Sequence, residues 1–243
     1  MLAAIALAVG AFIGAVGVGG VLLIPFLVLV GGLGIHVATS TALFSFLFTG
    51  LLGTYLFQRR GSIAWRLAWP VCTGALPFGY LGTRTASLFD PQQLTLLIAA
   101  IVVFAGIHVF RPGTVAIPAG PVAARGTTLT LLAVGAASGF GAGLSGAGGP
   151  LFSVPLMVIL GFAPLAAVGV GQVLQILASG SGSLAALGED RIDFAIAAWV
   201  TLFELAGVVA GVALAHRVGA ATLRRLAGGL CVLVGAFMLL RSL

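Results

Sequence analysis

Lysine is absent from this chain of 243 residues, and acidic side chains are scarce, with five Asp and Glu against 11 arginines. Charged residues make up only 7% of the sequence, whereas 60% of it is hydrophobic. A soluble domain is about one quarter charged, and a chain as apolar as this one cannot cover its outside with polar groups. Most of its surface must therefore meet lipid, which excludes an ordinary soluble domain and predicts an integral membrane protein.

Catalytic and metal-binding patterns are missing as well. Cysteine occurs only as Cys72 and Cys231, each alone in an apolar segment, which favours packing thiols over a disulfide or a metal pair. There is no His-x-x-x-His sequence and no pair of carboxylates within one apolar segment, so we expect neither enzyme activity nor a metal or cofactor. The arginine excess is typical of cytoplasmic loops in membrane proteins, and nucleic-acid binding is not expected.

Two glycine-rich sequences stand 129 positions apart inside long apolar runs. The first glycine motif, GVGG, occupies positions 17–20 and is followed by Pro25, and the second, GAGG, occupies positions 146–149 and is followed by Pro155. Glycine and proline break helices, and paired breaks at membrane depth are a feature of transporter binding sites. The same spacing joins other identical residues, among them Gly14 and Gly143, Ala38 and Ala167, Gly53 and Gly182, and Gly82 and Gly211.

This spacing predicts a chain built from one unit used twice. Between the two units lies a segment rich in proline and glycine, a composition typical of a linker. We therefore predict a first repeat at 1–110, a linker at 111–126 and a second repeat at 127–243.

Stretches of about 20 apolar residues, enough for one membrane crossing, follow each glycine motif in groups of three. They lie at 37–57, 64–83 and 91–110, and then at 166–187, 194–215 and 220–240. The piece directly after each motif is too short to span. The predicted fold is an all-α, polytopic transmembrane helical bundle of two repeats, each with a broken or re-entrant helix hairpin followed by three full transmembrane helices.

Arginine positions predict the orientation of the two halves, because loops rich in arginine stay cytoplasmic. The first such loop, at 58–66, belongs to the first half, and its counterpart at 187–195 lacks a positive excess. The next loop of the second half is arginine-rich instead. The halves are therefore predicted to be inverted, with both termini outside the cytoplasm, in a multi-pass protein of the cell (inner) membrane. The arginines that carry this prediction are Arg59, Arg60, Arg66, Arg217, Arg224 and Arg225.

The glycine motifs are candidates for a binding site. Glycine permits a tight chain reversal and lets a ligand reach backbone amides. The short helix that begins after each motif presents unpaired N–H groups and the positive end of its dipole, which together favour an anion. The pattern leaves open that small residues only allow close helix packing. The predicted substrate-binding glycines are Gly17, Gly19, Gly20, Gly146, Gly148 and Gly149.

Polar residues follow each hairpin on the next predicted helix and complete the candidate site. Thr39, Ser40 and Thr41 lie there in the first half, and Gln172 and Gln175 in the second. Hydroxyl and amide donors suffice to bind an oxyanion without a full opposite charge. The alternative for the hydroxyls is bonding to carbonyls of their own helix or to a neighbouring helix.

Glu204 lies near the middle of the predicted crossing at 194–215. A carboxylate there is costly and usually faces a cavity or a partner, so we predict a role in proton coupling. A protonated, hydrogen-bonded structural Glu is the alternative. Its counterpart in the first half is Ala75, so the two halves differ chemically at this position.

The two glycine motifs with their prolines, the sequence ATSTAL at 38–43 and the sequence AVG at 167–169 resemble those of the TauE/SafE family, the sulfite exporters of bacterial and archaeal membranes. The resemblance covers essentially the whole chain. One departure is Val170-Gly171 before Gln172, where the family often carries Thr-Ser.

The resemblance implies a secondary transporter of small sulfur-containing anions of the sulfite, organosulfonate or thiosulfate type, with alternating access around a central site at the two helix breaks. The expected partners are a small-molecule anion and the lipid bilayer, and a homo-oligomer is possible. The alternatives are a proton-coupled carrier for another small metabolite or ion, and an anion channel on the same fold.

Overall fold

The computed structural model describes residues 2–17, 19–110, 125–160 and 162–215, together with Arg217 and six positions between 229 and 240. The described residues form nine bounded helices and no strand, which confirms the predicted all-α fold. They are α1 (Leu2–Val16), α2 (Gly20–Leu29), α3 (Ile35–Arg59), α4 (Trp65–Ala86), α5 (Pro91–Phe110), α6 (Arg125–Ser145), α7 (Pro150–Ile159), α8 (Pro164–Leu187) and α9 (Phe194–Ala215).

Four of the described helices are long and apolar enough to cross a membrane: Ile35–Arg59, Thr128–Ser145, Leu165–Leu187 and Phe194–Ala215. Three of them coincide with predicted crossings. The fourth belongs to α6, in a segment predicted to form half of a broken hairpin, and the re-entrant course of both hairpins stays a prediction.

The other predicted crossings have different outcomes. The stretch at 64–83 forms α4, but its arginines and prolines make it less apolar than the four helices above. The stretch at 91–110 forms α5. Most of the stretch at 220–240 and positions 111–124 of the predicted linker lie outside the described residues.

Both helix pairs reverse direction at their glycine motifs. The φ angle is 78° at Gly17 and 68° at Gly146, in the left-handed region that favours glycine. A Cβ atom added to Gly19 would lie 2.7 Å from the backbone nitrogen of Ile13, and one added to Gly141 would lie 2.9 Å from the ring of Phe152. Hence α2 folds back along α1, and α7 folds back along α6.

Contacts between the two halves recur at the spacing seen in the sequence. Gly10 of α1 lies against the backbone of Glu204 in α9, and the residues 129 positions away from these, Gly139 of α6 and Ala75 of α4, also lie against each other. Helix α1 thus packs on α9 as α6 packs on α4. In each pair a glycine brings the two backbones together, as small residues do in membrane helices.

The two central helices, α3 and α8, pack against each other along their length. Gly53 lies against Gln172, whereas Gly182 lies against Leu43. As the residue number rises along α3, the number of the residue that it contacts on α8 falls. The two helices therefore run antiparallel. At their crossing, Nε2 of Gln175 donates a hydrogen bond of 3.0 Å to the backbone oxygen of Phe46, a residue 129 positions earlier.

The close approach of α4 and α6 predicts that a single added methyl group at Gly139 destabilises the fold. In Gly139→Ala the new Cβ would lie 2.5 Å from the Ala75 carbonyl oxygen, so the helices must separate. We expect a loss of about 1–3 kcal/mol, as for other overpacked interiors. Thermal unfolding of the purified protein in detergent measures the loss.

Gly34→Ala is the matched control, because Gly34 has an extended backbone and no atom lies within 4 Å of its added Cβ. Equal unfolding temperatures for the Gly139→Ala and Gly34→Ala proteins would contradict the close packing of α4 on α6.

Candidate functional site

The two glycine motifs meet in the interior of the bundle. A Cβ added to Gly17 would lie 3.0 Å from the Cβ of Pro150, and one added to Gly20 would lie 2.5 Å from the carbonyl oxygen of Ala147. The ring of Phe46, in the middle of α3, lies 2.9 Å from that same Gly20 position. The described residues of both motifs are buried. The predicted glycines of the two halves are therefore brought together at one place.

The second motif offers backbone donors at the start of α7. Within the described part of the chain, the N–H groups of Gly148 and Gly149 have no hydrogen-bond partner, whereas the N–H of Ala147 donates to the hydroxyl of Ser145. The nearest neighbours of a Cβ added to Gly148, whose φ is +83°, are the Phe46 ring at 3.5 Å and Pro150 at 3.8 Å. Two free donors thus stand at the positive end of a ten-residue helix.

The two predicted glutamines lie beside the motifs, but their amide groups already bond within the protein. Nε2 of Gln175 donates to the Phe46 oxygen and to Oγ1 of Thr49 at 2.8 Å, which uses both of its hydrogens. Nε2 of Gln172 donates to the carbonyl oxygen of Ile13 at 3.0 Å. Each glutamine therefore ties α8 to another element, Gln175 to α3 and Gln172 to α1.

The three predicted hydroxyl residues of α3 have different surroundings. Thr39 lies against the second motif, because a Cβ added to Gly146 would be 2.7 Å from the Cβ of Thr39. Its hydroxyl donates to the carbonyl oxygen of His36 at 2.9 Å. The hydroxyl of Thr41 instead accepts a 3.0 Å hydrogen bond from the backbone N–H of Asp193, in the loop before α9.

The profile described as Sulfite exporter TauE/SafE matches residues 2–242, and so includes both glycine motifs and all of the helices above. The chain belongs to the sulfite exporter TauE/SafE family. The resemblance read from the motifs is thereby confirmed. No curated protein and no solved structure gives a significant match to the chain. The TauE/SafE family is one of membrane transporters, and it implies transport of sulfur anions such as sulfite.

In this TauE/SafE protein, Glu204 is fully buried where α9 meets α1 and α3. Within the described residues neither of its carboxyl oxygens has a hydrogen-bond partner of good geometry. Its polar neighbour is the hydroxyl of Ser45, which donates to the carbonyl oxygen of Ala42 at 2.8 Å. The hydroxyl of Thr201, one turn earlier on α9, is also buried without a partner in the described part.

A polar cleft at the N-terminal end of α3 adds to the predicted Thr39 and Ser40 two residues that sequence reasoning missed, His36 and Arg191. His36, Ser40 and Arg191 line it together with Thr39, and its volume is about 10 Å³. That volume is close to what one water molecule needs. Arg191 lies in the loop between α8 and α9, and only tertiary packing brings it beside α3. No spacing along the chain indicates this contact.

No group of three or more His, Cys, Asp or Glu side chains that could hold a metal ion occurs among the residues described. The polar groups at the motifs are amides, hydroxyls and backbone N–H groups. Such a set can bind an anion, and it lacks the carboxylates that a cation site normally uses.

Proposed function

We propose that this TauE/SafE family member is a secondary transporter of small sulfur-containing anions in the cell membrane, with its central substrate site between the two glycine motifs. The observation that carries the proposal is the pair of unbonded N–H groups at Gly148 and Gly149, placed where the motifs meet. Family membership supports the substrate class, since TauE/SafE proteins are associated with anions such as sulfite.

The surroundings of the motifs favour an anion over a cation. The nearest side chains are neutral, among them Phe46, Thr39 and Gln175. The oxygens of a sulfur oxyanion accept hydrogen bonds from N–H groups, which are strengthened by the low dielectric of the interior. In this proposal Gly19 and Gly20 add the start of α2 to the site, whereas Thr39, Ser40, Thr41, Gln172 and Gln175 shape and support it.

Replacing Gly148 tests the site directly. In Gly148→Ala the new Cβ would stand 3.5 Å from the Phe46 ring, an ordinary contact distance, but it would occupy the space beside the free N–H groups. We expect uptake of radiolabelled sulfite into proteoliposomes to be lost. Competition by thiosulfate, sulfoacetate and simple carboxylates identifies the preferred anion.

Gly32→Ala is the control for backbone strain. Gly32 also has a left-handed φ, of +68°, but no atom lies within 4 Å of its added Cβ. Both substitutions therefore carry a similar conformational cost, of roughly 1–3 kcal/mol. Equal sulfite uptake by the two variants would argue against a substrate site at the second motif.

We further propose that the halves are inverted repeats that alternate access by rocking around this site. The paired contacts of α1 with α9 and of α6 with α4 support this arrangement, because each contact has a counterpart at the same spacing. The antiparallel crossing of α3 and α8 supports inversion. Two helices related by a two-fold axis run antiparallel when that axis is perpendicular to them.

A hydrogen bond crosses between the halves at the arginine-rich end of the bundle. Nη1 of Arg60 donates to the carbonyl oxygen of Val212 at 2.7 Å. The residues 129 positions away from this pair, Glu189 and Thr83, line the polar cleft at the opposite end. We propose that the contact of Arg60 with Val212 holds the arginine-rich end shut, and that it breaks when the transporter changes state.

Arg60→Ala should therefore increase the access of water-soluble reagents to the glycine motifs from the arginine-rich end. The reporter is Val168→Cys, at a buried position beside Gly17, in a protein whose native cysteines are replaced by serine. We expect faster labelling by a membrane-impermeant thiol reagent applied at that end. Arg59→Ala is the control, because Arg59, the last residue of α3, bears the same charge next to Arg60 but lies over the Tyr55 ring. Equal labelling rates in the two variants would contradict the closing role of Arg60.

We also propose that Glu204 couples transport to protons. Its burial and its unbonded carboxyl oxygens support the proposal, since such a carboxyl group bears a charge at high cost and exchanges a proton when its surroundings change. Accumulation of anion against its gradient, driven by protons, also separates a carrier from a channel.

Glu204→Gln should abolish accumulation of sulfite driven by a proton gradient in proteoliposomes, while sulfite exchange without a gradient continues. The neutral amide keeps the size of the side chain but carries no exchangeable charge. Asp90→Asn, at an exposed carboxylate, is the control and should keep both activities. Gradient-driven accumulation that survives Glu204→Gln, or loss of exchange as well, would rule out the coupling role.

A further inference from the structure

We infer that the polar cleft formed by His36, Ser40 and Arg191 is a second binding site for a small oxyanion, which receives the substrate before it reaches the glycine motifs. The inference rests on the proposed function and deepens it. It assigns the loop between α8 and α9 a part in binding the substrate anion.

The charge of the cleft comes from a group of three side chains at its rim. The carboxylate of Glu189 forms salt bridges with Arg84, at 3.3 Å, and with Arg191, at 3.2 Å. Two guanidinium groups there meet one carboxylate, and the other acids of this loop, Asp190 and Asp193, are not among the residues that line the cleft. The contact of Arg191 with Glu189 uses Nε, so its two Nη groups remain as donors of the planar kind that suits an oxyanion.

The wall opposite Arg191 is the first two turns of α3. This helix begins after Gly34 without a side-chain cap, and its second residue, His36, lines the cleft, so the positive end of the helix dipole lies close by. Ser40 lines the cleft, and its hydroxyl makes no hydrogen bond within the described residues. The side chain of His36 has Arg191 and Glu189 as charged neighbours.

The cleft adjoins the second glycine motif through two of its lining residues. Thr39 lines the cleft and also lies against Gly146, and Gly143 lines it from the last turn of α6. Because the cleft holds little more than a water molecule, an anion binds at its mouth, between Arg191 and Ser40. Its passage to Gly146 requires Thr39 of α3 to move away from the end of α6, a movement between the halves that their rocking supplies.

This charged site occurs in one half only. The residues 129 positions away from His36, Ser40 and Arg191 are Leu165, Gly169 and Ser62. None of these bears a charge, and Gly169 packs against the Ser62 carbonyl, with an added Cβ only 2.7 Å away. The cleft is therefore not a by-product of the repeated unit, and it gives one face of the protein a recognition step that the other face lacks.

Arg191→Gln tests the inference, with Arg84→Gln as the matched control. Both arginines pair with Glu189, but only Arg191 lines the cleft. In vesicles of one orientation, we expect Arg191→Gln to raise KM for sulfite offered at the cleft face by about tenfold, the usual effect of losing one charged hydrogen bond. Vmax and the KM measured from the opposite face should not change. Arg84→Gln, which removes a charge at the rim but no donor that lines the cleft, should raise KM at the cleft face much less than Arg191→Gln.

An unchanged KM in Arg191→Gln, an equal change in both variants, or an equal rise from both faces would overturn the inference. A binding measurement separates it from the proposed function: thermal stabilisation of the purified protein by sulfite, sulfate and phosphate. Stabilisation by phosphate alone, lost in Arg191→Gln, would keep the cleft and overturn the sulfur substrate. A wild-type protein stabilised by none of these anions would overturn both.

Discussion

The satisfaction of backbone polar groups in an apolar medium is the constraint on which the rest of this structure depends. A helix that breaks inside a membrane exposes N–H and C=O groups that lipid cannot bind, so the break must be enclosed by protein. Here each broken pair is enclosed by the other half: α1 lies on α9, α6 lies on α4, and the two motifs face each other. Some glycines break the helices, and others let neighbouring helices pack closely around the breaks. Both kinds therefore serve to keep exposed backbone groups away from lipid.

The sequence alone was enough to predict the individual helices and the two breaks. It was not enough to predict which helices pack against each other. Apolar length located α3, α8 and α9, and glycine with proline located both breaks, because these properties are local. The pairing of α4 with α6 depends on side chains from separate segments, and no periodicity along one helix encodes it. The same limit applies to Gln175. It was predicted as a donor for the substrate, yet both of its amide hydrogens are bound by α3.

The two halves make matching helix contacts, but they carry different side chains at some equivalent positions. Glu204 stands where the other half has Ala75, and Arg191 stands where it has Ser62. The difference at position 204 does not disturb the packing, since Glu204 lies in a glycine-lined contact of the same form as that of Ala75. Identical halves would present the same side chains in both copies of the unit, whereas these halves differ at both positions.

The hydrogen bond between Gln175 and Phe46 has a further consequence under the inverted-repeat arrangement. Its two residues occupy equivalent positions, so the bond lies on the axis that relates the halves. In a pair of separate, identical half-chains this place would hold the same side chain twice, and two phenylalanines or two glutamines would have to face each other. Joining the halves in one polypeptide removes that restriction. One half can then supply the aromatic ring beside the second glycine motif, while the other supplies the amide that joins α8 to α3.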